Sequence, residues 1–160
     1  MNRSGGFTLI EVLIAALVLA VGLLGLAGLQ AVSIKNNLSA YKRSQATQLA
    51  YDMADRMRAN RNESINLTTG NVITTSTYLT MAPSSAAVQA NCTTVTGCSP
   101  AQMAQNDLFQ WNAALTTALP GGTGTIAVAT GVFTITINWD DNRDGVINAY
   151  DPNFTVSFQP

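Results

Sequence analysis

The longest hydrophobic pattern of the chain predicts a single long helix at its start. Residues 7–29 read FTLIEVLIAALVLAVGLLGLAGL, an apolar run that contains one charged residue, Glu11. At ~1.5 Å rise per helical residue, such a run is long enough to cross a hydrocarbon core of ~30 Å. Residues 30–61 contain neither Pro nor Gly, and their apolar positions recur at three- and four-residue spacing. We therefore expect one helix from Phe7 to about Arg61, membrane-embedded in its first half and amphipathic in its second.

A second, shorter helix is predicted after residue 99. Ser99 is a good N-cap, Pro100 suits the first turn, and Gln102 stands three residues after the cap. The sequence Pro-Gly-Gly at 120–122 ends the pattern. Between these signals, apolar residues at helical spacing predict a buried stripe: Ala104, Leu108, Trp111, Leu115 and Leu119.

The last part of the chain alternates with period two, which predicts an antiparallel sheet. One strand is expected near Thr125 to Ala129. Two more are predicted by alternating apolar residues: Phe133, Ile135, Ile137 and Trp139 in the first, and Phe154, Val156 and Phe158 in the second. One face of this sheet should pack on the long helix. The expected fold class is α+β: a long N-terminal helix against a small antiparallel sheet, with a second short helix.

Residues 62–98 are polar and poorly periodic, so we expect a loop with one short strand from about Val72 to Tyr78. Cys92 and Cys98 lie in this region, and they are the only cysteines of the chain. Because the segment should face the periplasm or the outside, where disulfides persist, we expect the two to be bonded. A redox or metal pair is disfavoured, since the spacing is not C-x-x-C and no third ligand accompanies it.

Composition narrows the classes of function. Of the 160 residues 11% are charged, the net charge is −1, and no histidine occurs. The net charge gives no general reason to expect nucleic-acid binding. Histidine, the commonest catalytic base and transition-metal ligand, is missing. A membrane-anchored periplasmic enzyme is therefore the weakest hypothesis. The cations of the long helix are interpreted mainly as a solvated face: Lys35, Lys42, Arg43, Arg56, Arg58 and Arg61.

Glu11 is the first candidate functional residue. A carboxylate inside a membrane helix costs roughly 2.5–3.5 kcal/mol on insertion scales, so it is treated by default as functional, with a partner to be found. The alternative is that Glu11 lies shallow enough to reach the headgroups. The segment that contains it reads GFTLIEVLIA at residues 6–15, at the end of a short basic leader.

That segment resembles the processing site of the type IV pilin family, which includes the pseudopilins of type II secretion. The resemblance implies that a prepilin peptidase cuts on the cytoplasmic side after Gly6 and that Phe7 becomes N-methylated. It also implies that Glu11 pairs with the terminal amine of Phe7 on an adjacent subunit. An ammonium group is the partner that makes a carboxylate tolerable in a low-dielectric bundle.

The expected topology follows from the leader and the charges. The leader is too short, and the apolar run too long, for an ordinary secretory signal, so the run stays in the mature protein. Arg3 precedes the span and Lys35 lies well beyond it, which places the N-terminus inside. We expect a leader at 1–6, a transmembrane half-helix at 7–29, an amphipathic half-helix at 30–61 and a globular pilin domain at 62–160.

Three further segments resemble the PilV type of minor pilin, also called type IV pilus modification proteins: residues 21–30, 48–61 and 98–115. This resemblance implies a low-copy subunit that primes pilus assembly at the inner membrane and ends near the pilus tip, supporting motility or adhesion. The implied partners are prepilin peptidase, other minor pilins, the major pilin and a pilus-tip adhesin. The alternative is a minor pseudopilin of type II secretion.

The loop Asp140–Asp151 is a candidate calcium site. Gly145 and Ile147 stand at the sixth and eighth positions, as in a calcium loop of the EF-hand type. Its last position is Asp where the EF-hand has Glu, as in the calcium loops of dockerin modules. The alternative is a polar β-turn. The expected ligands are side chains, with one backbone carbonyl from Val146: Asp140, Asn142, Asp144, Val146, Asn148 and Asp151.

Overall fold

The computed structural model describes residues 8–160. Its first helix, α1, runs without interruption from Leu9 to Ala59, in agreement with the predicted long helix. The chain forms two compact units, one ending at Ala40 and one comprising Tyr41–Pro160. Helix α1 contributes its first part to one unit and its last part to the other.

The first unit is an apolar helix whose side chains are exposed. Every large apolar side chain from Leu9 to Ile34 has 56–83% of its surface accessible. This part of α1 is long and apolar enough to cross a membrane, with a mean hydropathy of 2.8 in its most apolar stretch. A helix that is hydrophobic all round needs an apolar environment, which here must come from lipid or from other helices.

The second unit has its own hydrophobic core. Five residues of α1 point into it at helical spacing and are completely buried: Ala46, Ala50, Met53, Ala54 and Met57. In this core, the five residues of α1 pack with the predicted buried stripe of the second helix and with the inner face of the sheet. Small alanines alternate with methionines on α1, so the helix can approach its neighbours closely while the flexible methionines fill the remaining space.

Short helical segments connect α1 to the second long helix. Helix α2 spans Arg61–Ser64, α3 spans Thr77–Thr80, and 3₁₀ turns cover Pro83–Ser85 and Ala90–Thr93. The predicted strand from Val72 to Tyr78 is wrong. Val72 forms only an isolated bridge with Ile65, and the Ser76 hydroxyl accepts the Tyr78 backbone N–H, which starts α3 instead.

The second long helix, α4, spans Pro100–Ala118 and begins as predicted. The Ser99 hydroxyl accepts the Gln102 backbone N–H, and the Gln102 side chain accepts the Ser99 N–H, so both bonds of a capping box are present. All members of the predicted stripe of this helix, with Leu119 just after its end, are buried.

The sheet has three antiparallel strands in the order β1–β2–β3, at Thr123–Ala129, Val132–Asn138 and Asn153–Phe158. Ile135 of the middle strand pairs with Ile126 and Val156, so one face of the sheet is apolar across all strands. The side chains of β2 on this face are buried in the core, as is Trp139 just beyond the strand. The fold is therefore α+β, as the sequence predicts.

A buried polar network joins α1, α3 and α4. The Asp107 carboxylate accepts hydrogen bonds from the Tyr78 hydroxyl at 2.7 Å and from Arg56 Nη1 at 3.1 Å. Burial and the hydrogen bond to Asp107 raise the pKa of Tyr78 above its ordinary value. The folded state favours the protonated phenol. The contribution of Tyr78 to the free energy of unfolding is therefore fully present below about pH 10, the ordinary pKa of tyrosine, and is lost as pH rises further.

Candidate functional site

The N-terminal site is built on the first turn of α1. The backbone N–H of Glu11 donates to the Thr8 carbonyl at 3.1 Å and lies 3.4 Å from Thr8 Oγ1. Thr8 thus caps the helix, and Glu11 stands at its third position, where the helix dipole favours a negative charge. The predicted processing residues Gly6 and Phe7 lie outside the described residues.

Thr8 positions the helical turn that carries Glu11, and the sequence contains a signal for this capping role. Thr-Leu-Ile-Glu at 8–11 has the S/T-x-x-E pattern of a helix start. The cap fixes where the helix begins and therefore where the Glu11 carboxylate stands.

Glu11 is exposed and sits among exposed apolar side chains, including Ile10 and Val12. From Thr8 onward, no ion pair involving Glu11 is present, and the next cation along the chain is Lys35. Because Lys35 stands roughly seven turns further along α1, it cannot neutralise Glu11 within the same helix. A carboxylate placed in this way can pair with a cation only if another group approaches it.

The cysteine pair forms the predicted disulfide. The Cys92–Cys98 bond has an S–S distance of 2.10 Å and a Cα–Cα distance of 4.8 Å. It ties the 3₁₀ turn at Ala90–Thr93 to the N-cap region of α4, and the tip residue Val95 is fully exposed. The bridge therefore holds a short loop on the surface of the second unit.

The acidic loop, defined as Asp140–Asp151, begins at a buried carboxylate. One oxygen of Asp140, Oδ1, accepts the backbone N–H groups of Arg143 at 2.6 Å and Asp144 at 3.2 Å. The other, Oδ2, accepts the Gly145 N–H at 2.8 Å. Gly145 has φ +87°, a left-handed conformation that glycine adopts without strain. The Asp140 side chain and Gly145 together make a sharp turn at this end of the loop.

The far end of the acidic loop is closed by Asp151. Its two oxygens accept the backbone N–H groups of Asp141 at 3.1 Å and Asn148 at 3.0 Å. In the exposed middle, a hydrogen bond from the Asn142 amide and another from the Val146 N–H lower the pKa of Asp144. The loop is thus held in shape by hydrogen bonds from its own backbone and side chains.

The predicted calcium ligands lie in one loop, but their side chains do not converge on one point. Within residues 8–160, no group of three or more acidic, cysteine or histidine side chains converges in a way that could hold a metal. Ile147, at the eighth position of the loop, is 38% exposed. It packs only partly because strands, rather than the helix pair of an EF-hand, flank the loop.

Lys42 joins the acidic loop to α1. Its ammonium nitrogen lies 3.0 Å from both the carbonyl oxygen and the Oδ1 carboxylate oxygen of Asp141. The residue is only 4% exposed. The interpretation of the basic stretch as a solvated face is therefore wrong for Lys42, whereas Arg43 beside it is exposed as expected.

Two protein-family models match consecutive parts of the chain. Residues 1–27 match the prokaryotic N-terminal methylation motif, and residues 28–109 match the Tt1218-like model, described as type IV pilin Tt1218. The chain therefore belongs to the Tt1218-like family of type IV pilins. No curated protein and no solved structure matches it.

These matches cover the methylation motif, α1 and the connector, and they end within α4 at Phe109. The pilin family is structural rather than enzymatic, and its members assemble with other pilins. The apolar start of α1 and the methylation motif fit a subunit that is anchored in a membrane and then enters a pilus. The sheet and the acidic loop lie beyond the matched residues, so their role must be argued from this chain.

Proposed function

We propose that this protein is a minor pilin of the PilV type, processed by prepilin peptidase after Gly6 and methylated on Phe7. Before assembly it spans the inner membrane once, with its N-terminus in the cytoplasm. It then enters a type IV pilus as part of a priming or tip complex. The residues 1–6, 7–29, 30–61 and 62–160 are its leader, membrane anchor, amphipathic half-helix and globular domain.

The observation that carries this proposal is the capped Glu11 carboxylate on an exposed apolar helix, within the residues that match the methylation motif. In lipid, the charge of Glu11 is costly, and no cation among residues 8–160 pairs with it. In a filament, the terminal amine that processing creates at Phe7 of a neighbouring subunit supplies that partner. Assembly thus removes an electrostatic cost and covers the apolar surface of α1 in one step.

The assignment to a minor pilin rests on the PilV-like segments at 21–30, 48–61 and 98–115. Most of their residues fall inside the pilin match at 28–109. The partners of such a subunit are the other minor pilins, the major pilin and a pilus-tip adhesin. A minor pseudopilin of type II secretion would have the same first helix, so the two functions must be separated in cells.

We expect the protein to be scarce and terminal in purified pili. Peptide quantification of sheared pili should find far fewer copies than of the major pilin, and immunogold labelling should mark tips. Deletion of the gene should reduce piliation, adhesion and motility, with recovery on complementation. Uniform labelling along pili would contradict the minor role. Normal pili together with lost protein secretion would support the pseudopilin instead.

We also propose that the acidic loop binds calcium through Asp140, Asn142, Asp144, Asn148, Asp151 and the Val146 carbonyl. The loop carries these oxygen ligands at the spacing of an EF-hand and has Gly145 in the required left-handed turn. Binding would require the exposed side chains of the loop to turn from their backbone partners toward the ion. The hydrogen bonds of Asp140 and Asp151 keep the two ends of the loop in place for this rearrangement.

Calcium should therefore raise the melting temperature of the full-length protein in detergent. An ion at about a hundredfold excess over Kd adds roughly 2.7 kcal/mol, which for a chain of this size corresponds to about 5–10 °C. Magnesium should have a much smaller effect because it demands stricter octahedral geometry. Circular dichroism melts in EGTA, calcium and magnesium would measure this.

The Asp144→Ala variant should lose the calcium response, whereas Asp55→Ala should keep it. Asp55 is a suitable control because it is an exposed acid on α1 that pairs with Arg58, away from the acidic loop. If wild type melts at the same temperature with EGTA and with calcium, the loop is a polar turn and the calcium proposal is wrong.

A further inference from the structure

Lys42 and Asp141 connect parts of the chain that are far apart in sequence. They are separated by 99 positions, and the ammonium of Lys42 donates to both the carbonyl and the carboxylate of Asp141 at 3.0 Å. Among the described residues, this is the one ion pair between the acidic loop and α1. The side chain of Lys42 is 5% exposed and that of Asp141 is 24% exposed, so the contact is largely shielded from water.

Asp141 is held on several sides at the base of the loop. Its backbone N–H donates to Asp151, the last residue of the loop, at 3.1 Å. Its carboxylate oxygen lies 3.4 Å from the indole nitrogen of the buried Trp139. Lys42 is therefore connected through one residue to both the start and the end of the acidic loop.

The loop also needs a positive charge near its base. It contains Asp140, Asp141, Asp144 and Asp151 within twelve positions, with Arg143 as its own cation. Arg143 is exposed and makes no ion pair among residues 8–160. Carboxylates this close repel one another unless a cation lies nearby, and Lys42 is the cation that the fold places there.

We propose that Lys42 is an internal counter-ion that locks the base of the acidic loop onto α1 through Asp141, and that this lock holds the loop closed without a metal. The lock opposes the mutual repulsion of the loop carboxylates, which would otherwise favour an open loop. It also fixes how the loop presents its tip, where Val146 is 60% and Tyr150 is 95% exposed.

The lock and calcium use different carboxylates. Asp141 binds Lys42 and is not among the proposed calcium ligands, so the two cations can act on the same loop at once. The relation to calcium rests on the calcium proposal above, whereas the lock itself requires no ion. Experiments in EGTA therefore test the lock alone.

The loop contains its own reporter, because trypsin cuts after arginine and Arg143 lies in its exposed part. Full-length protein in detergent and EGTA would be treated with dilute trypsin, and release of residues 144–160 would be followed by mass spectrometry under denaturing conditions. Lys42→Met and Asp141→Asn should each speed this cut by about tenfold or more, since a shielded ion pair is broken and the loop opens locally.

Four controls make the result specific. Arg43→Met removes the exposed neighbouring cation and should leave the cut after Arg143 unchanged. Cutting after Arg61, at the exposed start of helix α2, should keep its wild-type rate in every variant. Lys42→Arg should restore most of the protection, and the Lys42→Met/Asp141→Asn double variant should open no faster than the faster single variant, because both remove one interaction.

Unchanged cutting after Arg143 in Lys42→Met would overturn the lock. Equal acceleration at Arg61 and Arg143 would also overturn it, because Lys42 would then support the whole fold rather than the loop. Calcium added to wild type gives an independent result: no slowing of the Arg143 cut would count against calcium binding and leave the lock standing.

Discussion

Replacing Glu11 with valine should leave the protein in the membrane and remove most of it from sheared pili. Insertion should be intact or improved, because the substitution removes a charge that costs roughly 2.5–3.5 kcal/mol inside a membrane helix. Assembly should fail because the terminal amine of a neighbouring Phe7 loses its carboxylate and would be buried unpaired. We expect the ratio of pilus-associated to membrane-associated protein to fall by about tenfold or more, measured by quantitative immunoblots of both fractions.

Val12→Ala is the matched control, since it changes the adjacent exposed apolar residue and leaves the carboxylate in place. This variant should enter pili at close to the wild-type ratio. Normal entry of Glu11→Val into pili would show that the pairing role assigned to Glu11 is wrong. A loss of Glu11→Val from the membrane fraction would equally contradict the account, because the carboxylate would then be needed before assembly.

Replacing Gly6 with valine should block processing and keep the full-length protein in the membrane. The resemblance to pilins implies a cut after this glycine, where the small, flexible residue lets the scissile peptide enter the peptidase. A β-branched side chain at that position restricts the backbone and adds bulk. Intact-mass measurement of the membrane fraction should therefore find the leader retained in Gly6→Val, and a processed N-terminus in the variant would disprove the assigned cleavage site.

The helices and strands with strong periodicity could be predicted from the sequence. Helix α1 has no Pro and a continuous apolar pattern, and α4 has its cap, its Pro100 and its buried stripe in order. Apolar and polar residues alternate in β2 and β3, so the inward face of these strands follows from the pattern alone. In each of these segments, local propensity and burial favour the same structure, which is why the sequence suffices.

The connector could not be predicted in the same way. Residues 72–78 contain β-branched residues that favour a strand, but Ser76 caps a helical turn and the Tyr78 hydroxyl is drawn to the buried Asp107. That contact joins residues distant in sequence, and no local pattern signals it. Tertiary contacts therefore decided the conformation of a segment whose own preference was weak.

The candidate functional residues show the same contrast between what a local sequence pattern predicts and what depends on tertiary contacts. The methylation motif and Glu11 stand out in the sequence because a charge in an apolar run is conspicuous. Lys42 does not stand out, because it belongs to a row of cations that looks like an ordinary solvated helix face. Its burial depends on Asp141, which the fold brings from 99 positions away. The geometry of the acidic loop likewise depends on backbone hydrogen bonds that spacing alone does not specify.

The central claim, that this chain is a processed pilin, is tested most directly by the N-terminus of the protein recovered from pili. Mass spectrometry of the filament fraction should find a chain that begins at Phe7 and carries one added methyl group on its terminal amine. An intact Met1, or a chain that begins near Ala31 after loss of the apolar helix, would contradict the account.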